Sequence, residues 1–422
     1  MVKAKLKSGA QTSPRRQYIG VWLVCCGMMA SSVGLSHNAY GVFYTPVSQA
    51  LGVGRGAVAM HATLTGIVTG LCSPIAVRLL RRVHVKVLVA GGGVLACSSY
   101  ILMAFATEVW MFNLLGVLRG IGDCGIYLPI ITMLLGNWFK KGQGTIVGLT
   151  MSFSGIAGAI LSPALTAVIL RYGYQTAYFA SAAFIAAVTL PGAMLWLELK
   201  PEDAGICPYG ADSEQGCTAE RPARLVNRLR VFSPVYLMLG VMAVFASTVS
   251  GLTSHLSGMA ENIGAGAAVG AAMISSAMVG NILFKFLSGW LSDRIGVFRA
   301  FSVSLVVAAA GSAMLYLGGT NTAVLLAGAF IFGAIYSVNA VGVAAGVRQI
   351  YGDSQYGDGY SVLAAVMCIC PAIAMSAVGY LYDLTGGYAA AVGGCVVLSG
   401  ASFVLWQAVR RMSDKMNTWP DA

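Results

Sequence analysis

Residues 289–299 read Gly-Trp-Leu-Ser-Asp-Arg-Ile-Gly-Val-Phe-Arg and form a short polar segment between two long apolar runs. The segment contains the glycines Gly289 and Gly296 and the charged residues Asp293, Arg294 and Arg299. An aspartate can cap the first turn of a helix, and arginines near helix ends interact favourably with the helix dipole. The segment therefore predicts a tight connection between two paired apolar helices.

The composition of the whole chain is that of a membrane protein. Of its 422 residues, 57% are hydrophobic and only 10% are charged, whereas soluble domains average about 25% charged residues. The formal net charge is +11. These values exclude a soluble enzyme, a disordered chain, a nucleic-acid-binding protein and a small disulfide-bonded scaffold.

Hydropathy divides the chain into twelve apolar segments. A spanning helix needs about 20 apolar residues, so twelve of them need roughly 240, and the chain is long enough to supply them. The predicted spans are 18–45, 56–79, 86–106, 109–136, 144–170, 174–197, 233–257, 265–290, 299–317, 322–347, 357–381 and 387–409. We therefore predict an all-α integral membrane fold of twelve transmembrane helices in two six-helix halves.

Lysine and arginine residues predict the orientation of these spans. Of the 26 cations, Arg55 and Arg171 fall on one side, Arg119 and Lys285 fall inside spans, and all others fall on the opposite side. Positive residues mark the cytoplasmic side of a membrane, so we expect a multi-pass protein of the cell membrane (inner or plasma) with both termini in the cytoplasm. The predicted units are a cytoplasmic N-tail 1–17, an N-terminal half 18–197, a cytoplasmic central loop 198–232, a C-terminal half 233–409 and a cytoplasmic C-tail 410–422.

The ten cysteines do not predict a disulfide framework or a metal site. Eight lie in apolar runs, where cysteine behaves as a small hydrophobic residue. Cys207 and Cys217 lie in the central loop, and a reducing cytoplasm would leave them as free thiols. The pair at Cys368 and Cys370 has no histidine or second cysteine pair nearby, so no metal is expected.

The segment 289–299 resembles the G-x-x-x-D-R-x-G-x-x-R signature of the major facilitator superfamily. Two six-helix halves are also the architecture of that superfamily. The resemblance implies that Gly289, Asp293, Arg294, Gly296 and Arg299 form a gating motif on the cytoplasmic face. The corresponding first-half segment, 78–86, keeps the cations but lacks the aspartate.

Other stretches resemble the monocarboxylate transporters and the bacterial oxalate:formate antiporter group within that superfamily. These stretches are 34–43, 51–55, 119–122, 127–129, 137–139 and the Tyr-Gly pairs at 351–352 and 356–357. The resemblance covers essentially all twelve spans and implies a secondary transporter. We find no metal, phosphate-loop or serine-hydrolase motif, so we expect neither enzymatic activity nor a cofactor.

Lys285 is the first candidate for substrate binding. In the transporters that the chain resembles, a cation at this place, usually arginine, holds the substrate carboxylate. Lysine offers a compact point charge instead of a flat fork. Ionisable residues inside membranes are functional by default, although Lys285 could also extend towards the cytoplasmic interface. Asn281 lies four residues earlier on the same helix face and is either a second substrate contact or an interhelical hydrogen-bonding residue.

Arg119 and Asp123 are four residues apart in the fourth span, a spacing that suits an internal ion pair. The pair is either purely structural or carries a protonatable Asp123 whose state frees or holds Arg119. With Lys285, the spans then have one spare positive charge, which suits a monoanion. The oxalate exchanger has a second cation in the eleventh span where this chain has Leu363, so a dicarboxylate is disfavoured. Asp358 lies at a membrane boundary, where we expect it to be solvated.

His255, Tyr127 and Tyr336 complete the predicted site. A histidine titrates near neutral pH and can donate to a carboxylate or carry a proton, and bacterial monocarboxylate transporters have one in this region. The two tyrosines could bind a carboxylate or hydroxyl, or could simply pack. His37, Asn38 and Tyr40 are weaker candidates of the same kind.

Together, these residues predict a transporter of a small organic monocarboxylate, coupled to protons, that works by alternating access. Lys285, Asp123, Arg119 and His255 are the candidates for proton coupling. The alternatives are an exchanger or exporter of organic anions, including dicarboxylates or aromatic acids, and a transporter-like sensor. The expected partners are the anion, the proton and the bilayer, with no nucleic acid, and we expect a monomer.

Overall fold

The computed structural model describes residues 14–210 and 233–418. Within these ranges the regular structure is helical, apart from one isolated β-bridge between Phe139 and Tyr209. The lysines of the N-tail and most of the central loop lie outside the described residues.

The first half contains seven α-helices that follow one another through short turns. They are α1 Pro14–Met29, α2 Tyr44–Leu51, α3 Arg55–Leu79, α4 Val85–Met103, α5 Val109–Cys124, α6 Leu128–Trp138 and α7 Gln143–Trp196. A π-helix, Ala30–Ala39, and a 3₁₀ turn, Tyr40–Phe43, join α1 to α2.

The second half repeats this pattern of helices and short connections. Its helices are α8 Pro234–Ser250, α9 Leu256–Asn262, α10 Ala267–Ile295, α11 Val297–Leu317, α12 Thr322–Phe332, α13 Ile335–Ser337, α14 Val343–Thr385 and α15 Ala389–Thr418. A 3₁₀ turn, Gly251–His255, joins α8 to α9, and a π-helix, Val338–Gly342, joins α13 to α14.

Ten helical segments within the described ranges are long and apolar enough to cross a membrane. Two of them, Gln143–Trp196 and Thr322–Met375, are 54 residues long. A straight helix of that length would measure about 81 Å, far more than the hydrocarbon core of about 30 Å. Each is broken by a glycine in a conformation that other residues rarely adopt, Gly173 with φ 87° and Gly352 with φ 71°. The prediction of an all-α membrane fold is confirmed.

Four helical passages are interrupted part-way along their length. The π-helix after α1 and the 3₁₀ turn after α8 are two of these places. The others are the break at 125–127 between α5 and α6, and the irregular turns between α12 and α14. Irregular backbone at membrane depth is tolerated where it is buried in protein or lines a cavity, and π-helical turns occur frequently at functional sites. These interruptions therefore mark the region in which to look for a site.

The two halves meet where α7 packs against α10, and glycines make the approach close. A Cβ atom on Gly148 would overlap the carbonyl oxygen of Lys285, and one on Gly289 would overlap that of Gly144. Small residues let membrane helices approach in this way. The packing partner of Gly148 is the turn of α10 that carries Lys285.

Ion pairs join the halves at one end of the bundle, which we call the basic face. Its members include Arg78, Arg81, Arg82, Lys86, Lys140, Lys141, Arg294, Arg299 and Arg348. Here Arg81 pairs with Asp358, and Lys140 Nζ lies 2.7 Å from Asp353 Oδ2. Arg348 lies between the halves, because its Nε donates to Asp353 Oδ1 at 2.8 Å and its Nη2 donates to the Thr132 carbonyl at 2.9 Å.

Asp293 also contributes to this junction, as a cap on the opposite half. Its carboxylate accepts hydrogen bonds from the backbone N–H groups of Gly144 and Thr145, at 2.8 and 2.7 Å, and from the Thr145 hydroxyl at 2.6 Å. A carboxylate at a helix N-terminus is stabilised by the helix dipole and by the free N–H groups. The expectation that Asp293 caps a helix is confirmed, and the helix is α7.

Asp358 is partly exposed, as expected, and it also forms an ion pair with Arg81, because the packing of α3 against α14 brings the two halves together at this point. One expectation about the central loop is wrong. Cys207 is disulfide-bonded, whereas the eight cysteines of the apolar runs are free. The expectation of a free thiol rested on the predicted compartment alone, which does not indicate which cysteines lie close together in the folded chain. Cys217 lies outside the described residues.

The glycine contact between the halves leads to a stability prediction. Gly148→Ala forces the backbone of α7 away from Lys285 and Gly289, and overpacking of this kind costs roughly 1–3 kcal/mol. Gly91→Ala in α4 is the matched control, because nothing lies within 4 Å of a Cβ at that place, and alanine there stabilises a helix by about 0.5–1 kcal/mol. Thermal unfolding of the purified proteins should show a lower midpoint for the first variant only. Equal midpoints would contradict the close approach.

Candidate functional site

Lys285 lies on α10, on the face that packs against α7. Asn281, Lys285, Gly289 and Asp293 follow one another at intervals of four residues, so they share one face of the helix. Asp293 is at the basic face, and Lys285 lies eight residues before it, about 12 Å deeper along the helix. The residue is only 3% exposed. The side chain is therefore enclosed within the membrane-spanning part of the bundle.

The ammonium group of Lys285 contacts neutral oxygen atoms of the opposite half. Its Nζ donates to Ser154 Oγ at 3.0 Å and to the Met151 carbonyl at 3.5 Å. Across the described ranges, no carboxylate lies within 4 Å of it, although seven other ion pairs are present. An isolated buried charge is expensive in a low-dielectric medium. The Lys285 side chain extends towards Met151 and Ser154 of α7 and not towards the basic face, and its contact with a substrate anion stays a prediction.

Asn281 and Tyr336 lie beside Lys285 in the same half. Asn281 is 1% exposed, and its Nδ2 lies 3.9 Å from Met278 Sδ, while its Oδ1 has no hydrogen-bond partner among the described residues. The Tyr336 ring lies 5.9 Å from Lys285 Nζ, and its hydroxyl donates to Thr253 Oγ1 at 2.9 Å. The structure therefore brings two of the predicted residues towards the predicted cation.

Tyr127 lies at the break between α5 and α6, in extended conformation directly before the α6 N-terminus. Cys368, on α14 of the other half, donates a hydrogen bond through Sγ to the Tyr127 hydroxyl at 3.0 Å. Tyr127, a residue of the first half, is therefore hydrogen-bonded to the second half. Its hydrogen bonds within the described part of the chain do not reach Lys285, so a shared role of the two residues stays a prediction.

His255 lies at the end of the 3₁₀ turn after α8. Its Nε2 lies 2.9 Å from the Met375 carbonyl, and its ring packs 5.8 Å from that of Tyr388. These partners belong to α14 and α15, and they place the imidazole apart from the contacts of Lys285. Thr253, two residues earlier, is the residue of this turn that reaches Tyr336.

Arg119 and Asp123 form the expected ion pair within the first half. Arg119 Nε lies 3.5 Å from Asp123 Oδ2, and both residues are 1% exposed. The guanidinium carbon also lies 5.0 Å from the Tyr40 ring centre and 4.4 Å from that of Tyr100. Such cation–π contacts stabilise a desolvated guanidinium. Within the described residues, the Asp123 oxygens have the Arg119 ion pair but no hydrogen bond of good geometry, and a role in proton uptake stays a prediction.

The weaker candidates of the first span have different surroundings. Asn38 donates through Nδ2 to the Ser154 carbonyl at 2.9 Å, so it positions the residue that contacts Lys285. The Tyr40 hydroxyl pairs with that of Tyr178 at 2.9 Å, and the ring packs against Arg119. The His37 side chain is exposed.

Sequence reasoning missed the oxygen atoms that hold Lys285. Ser154 is a small residue among the glycines Gly148, Gly155 and Gly158, and only the facing of α7 and α10 gives it a role. The helical spacing of these glycines could have indicated the packed face of α7, and Ser154 lies between them. Thr253 and Cys368 were missed for the same reason, since their partners are distant in sequence.

The amino-acid sequence is similar to those of known membrane transporters. The model of the Major Facilitator Superfamily matches residues 24–258 and again residues 236–420. The chain is 28% identical over 357 residues to Monocarboxylate transporter 12-B of Danio rerio, covering 78% of this chain and 73% of that protein. It is 23% identical over 409 residues to an uncharacterized MFS-type transporter, YcxA, of Bacillus subtilis (strain 168), covering 94% and 95%.

Solved structures show the same fold. A variant of the E. coli fucose:proton symporter FucP matches with a TM-score of 0.68 and 16% identity, over 93% of this chain and 99% of that chain. The human organic anion transporter MFSD10 matches with a TM-score of 0.68 and 15% identity, over 94% and 100%. At such identities the likeness concerns the fold. With the family match to both halves, these findings place the chain among multi-pass transporters of the plasma membrane and not among enzymes. The chain therefore belongs to the Major Facilitator Superfamily.

Proposed function

We propose that this protein is a secondary active transporter of a small organic monocarboxylate, coupled to protons, that works by alternating access. Lys285 carries the proposal, because it is a buried cation at the junction of the two halves with neutral oxygens as its partners. The curated relatives named monocarboxylate transporters support the substrate class.

A carboxylate fits the environment of Lys285. An ammonium group has three N–H donors, and the contacts with Ser154 and Met151 use two of them. The third remains for a substrate oxygen in a charge-assisted hydrogen bond. Binding would neutralise the lone cation, so the loaded carrier could close without an uncompensated charge in its core. The unpaired Oδ1 of Asn281 would accept a hydrogen bond from a substrate hydroxyl.

The proposed topology has twelve spans with both termini in the cytoplasm. The breaks at Gly173 and Gly352 would divide each of the two 54-residue segments into two passes. The basic face would then be cytoplasmic, as the bias of lysine and arginine indicates. The protein would act as a monomer, because each half supplies part of one central site.

Alternating access would require the contacts at the basic face to open. The halves are joined there by Asp293 and by the pairs of Arg81, Lys140 and Arg348. A related fold, FucP, has been solved in its outward conformation. We propose that the present arrangement corresponds to that state, with the substrate entering from the face opposite the basic one.

A proton accompanying the anion would make each cycle electroneutral. Asp123, a buried carboxylate beside Arg119, is one candidate for protonation. Lys285 is another, since it could release its proton when no anion is bound. His255 is half-buried against Met375 and Tyr388 and would act from outside the Lys285 contacts. All three stay candidates for the proton acceptor.

The first prediction concerns Lys285. Lys285→Ala removes one partner of a buried charge pair, which costs roughly 2–5 kcal/mol and should lower transport by about 30-fold or more. Lys285→Arg should retain part of the activity, because the charge remains. Uptake of labelled acids into proteoliposomes measures both. Lys200→Ala, an exposed lysine of the same charge, should behave as wild type. Normal uptake by Lys285→Ala, with equal incorporation, would remove Lys285 from the site.

The second prediction concerns the coupled proton. Proteoliposomes that contain a pH-sensitive dye should acidify when one acid of a panel is added, beyond the signal of empty liposomes. The Asp123→Asn and His255→Gln variants identify the acceptor, since loss of acidification with preserved counterflow separates proton coupling from anion binding. Counterflow by wild type without any acidification would show that the protein is an anion exchanger.

The third prediction concerns opening at the basic face. Asp353→Asn removes the shared acceptor of Lys140 and Arg348. Of these two pairs, only the Lys140 pair joins the two halves, and an exposed ion pair is worth about 0.2–1 kcal/mol, so the closed state should become up to about fivefold less populated. Hydrogen–deuterium exchange of residues 343–358 should then be faster, while Asp203→Asn, an exposed aspartate on α7's C-terminal side, leaves it unchanged. Unchanged exchange in Asp353→Asn would mean that these pairs do not hold the face closed.

A further inference from the structure

A cavity of about 660 Å³ opens on the basic face, away from Lys285. Its lining consists of Ile75, Arg78, Leu79, Arg81, Arg82 and Asp358. The first five come from the end of α3 and the turn after it, and Asp358 comes from α14. The cavity therefore lies on the seam between the two halves, where α3 leaves the membrane.

The apolar part of the lining continues a stripe on one side of α3. Leu71, Ile75 and Leu79 follow one another at intervals of four residues, with Arg78 beside them, so they share a helix face, and Arg82 lies in the turn directly after the helix. Leu71 is 60% exposed, Ile75 61% and Leu79 39%. Exposed apolar side chains on a spanning helix face the acyl chains of the bilayer. The stripe thus passes from an acyl-chain environment directly into a cluster of guanidinium groups.

The charges of the cluster are only partly balanced. Arg81 donates to Asp358, the one carboxylate of the lining. Elsewhere on the basic face, Lys86 pairs with Glu198 and Lys140 pairs with Asp353. Within the described ranges, neither Arg78 nor Arg82 takes part in an ion pair. In the described part of the chain, two exposed arginines thus share the cavity and have no ion-pair partner of their own.

We propose that this cavity binds the headgroup of an anionic phospholipid. The guanidinium groups of Arg78 and Arg82 would hold the phosphate, because their donors match phosphate oxygens in bidentate geometry. The acyl chains would lie along Leu79, Ile75 and Leu71. Clustered cations next to a spanning helix attract anionic lipids, and the apolar stripe adds a contact that a free phosphate ion would lack.

Because the cavity lies between the two halves, a bound lipid would also affect the ion pair that joins them there. A phosphate held by Arg78 and Arg82 lies in the same cavity as the Arg81–Asp358 pair, which joins the halves. It would compete with Asp358 for Arg81 and repel the carboxylate. The bound lipid would therefore weaken one contact that keeps the basic face closed. Neither the binding nor this effect depends on which solute the protein transports.

Native mass spectrometry with equal amounts of phosphatidylglycerol and phosphatidylcholine tests the binding. Wild type should retain phosphatidylglycerol preferentially. The double variant R78Q/R82Q should bind it about tenfold to thirtyfold more weakly, from the loss of two cations near the surface. The double variant K200Q/R411Q loses the same charge at two other exposed positions of the described chain and should bind as wild type. Thermal unfolding confirms that each variant is folded.

Two further measurements distinguish a lipid headgroup from a soluble phosphate ester as the bound phosphate. Ile75→Ser should weaken retention of phosphatidylglycerol, and glycerol 3-phosphate at millimolar concentration should fail to displace it. Equal binding of phosphatidylglycerol by wild type and R78Q/R82Q overturns the proposal. So does equal weakening in K200Q/R411Q, which would reveal a diffuse effect of net charge, and so does full displacement by glycerol 3-phosphate, which would reveal a site for soluble phosphate esters.

Discussion

The burial of Lys285 among neutral oxygens is the constraint on which the site depends. A charge at this depth is stable only if its surroundings supply compensation, and here Ser154 and Met151 of the other half supply a part of it. The same contact joins the halves, because donor and acceptors lie on opposite sides of the junction. The Lys285 side chain therefore both requires a compensating charge and links the two halves. An anion that binds Lys285 would affect its charge and its contact with the opposite half.

Two kinds of contact hold the halves together, and they differ in how readily they separate. Along α7 and α10, glycines such as Gly148 and Gly289 bring backbone against backbone, which favours a fixed pivot. At the basic face, Asp293 and Asp353 accept hydrogen bonds from the opposite half near solvent. Exposed pairs are individually weak, so they can part without disturbing the core. Close backbone packing along α7 and α10, together with weak ion pairs at the basic face, suits a rocking motion of the two halves.

The sequence predicted the fold well because its signals are local. Apolar length predicted the helices, and the segment 289–299 predicted a tight turn between two of them, whereas the distant helix that Asp293 caps, α7, was not predicted. The spacing of Arg119 and Asp123 predicted their pair. Features that depend on distant residues were missed: the Ser154 oxygen facing Lys285, the disulfide at Cys207, and the pairing of Asp358 with Arg81. The π-helix at Ala30–Ala39 was missed as well, because helical periodicity does not report a widened turn.

The exposed ion pairs of the basic face make the closed arrangement of the two halves sensitive to the solution on that side of the membrane. Arg81 and Asp358 have side chains that are 67% and 36% exposed, and at physiological ionic strength charges are screened over about 8 Å. The contact between Lys285 and Ser154 is shielded from that solution by the packed helices. Salt on the basic side would therefore alter the balance between closed and open states while leaving the affinity of the buried cation unchanged. In the proposed cycle, ionic strength on that side would therefore act on the timing of opening and closing and not on selectivity.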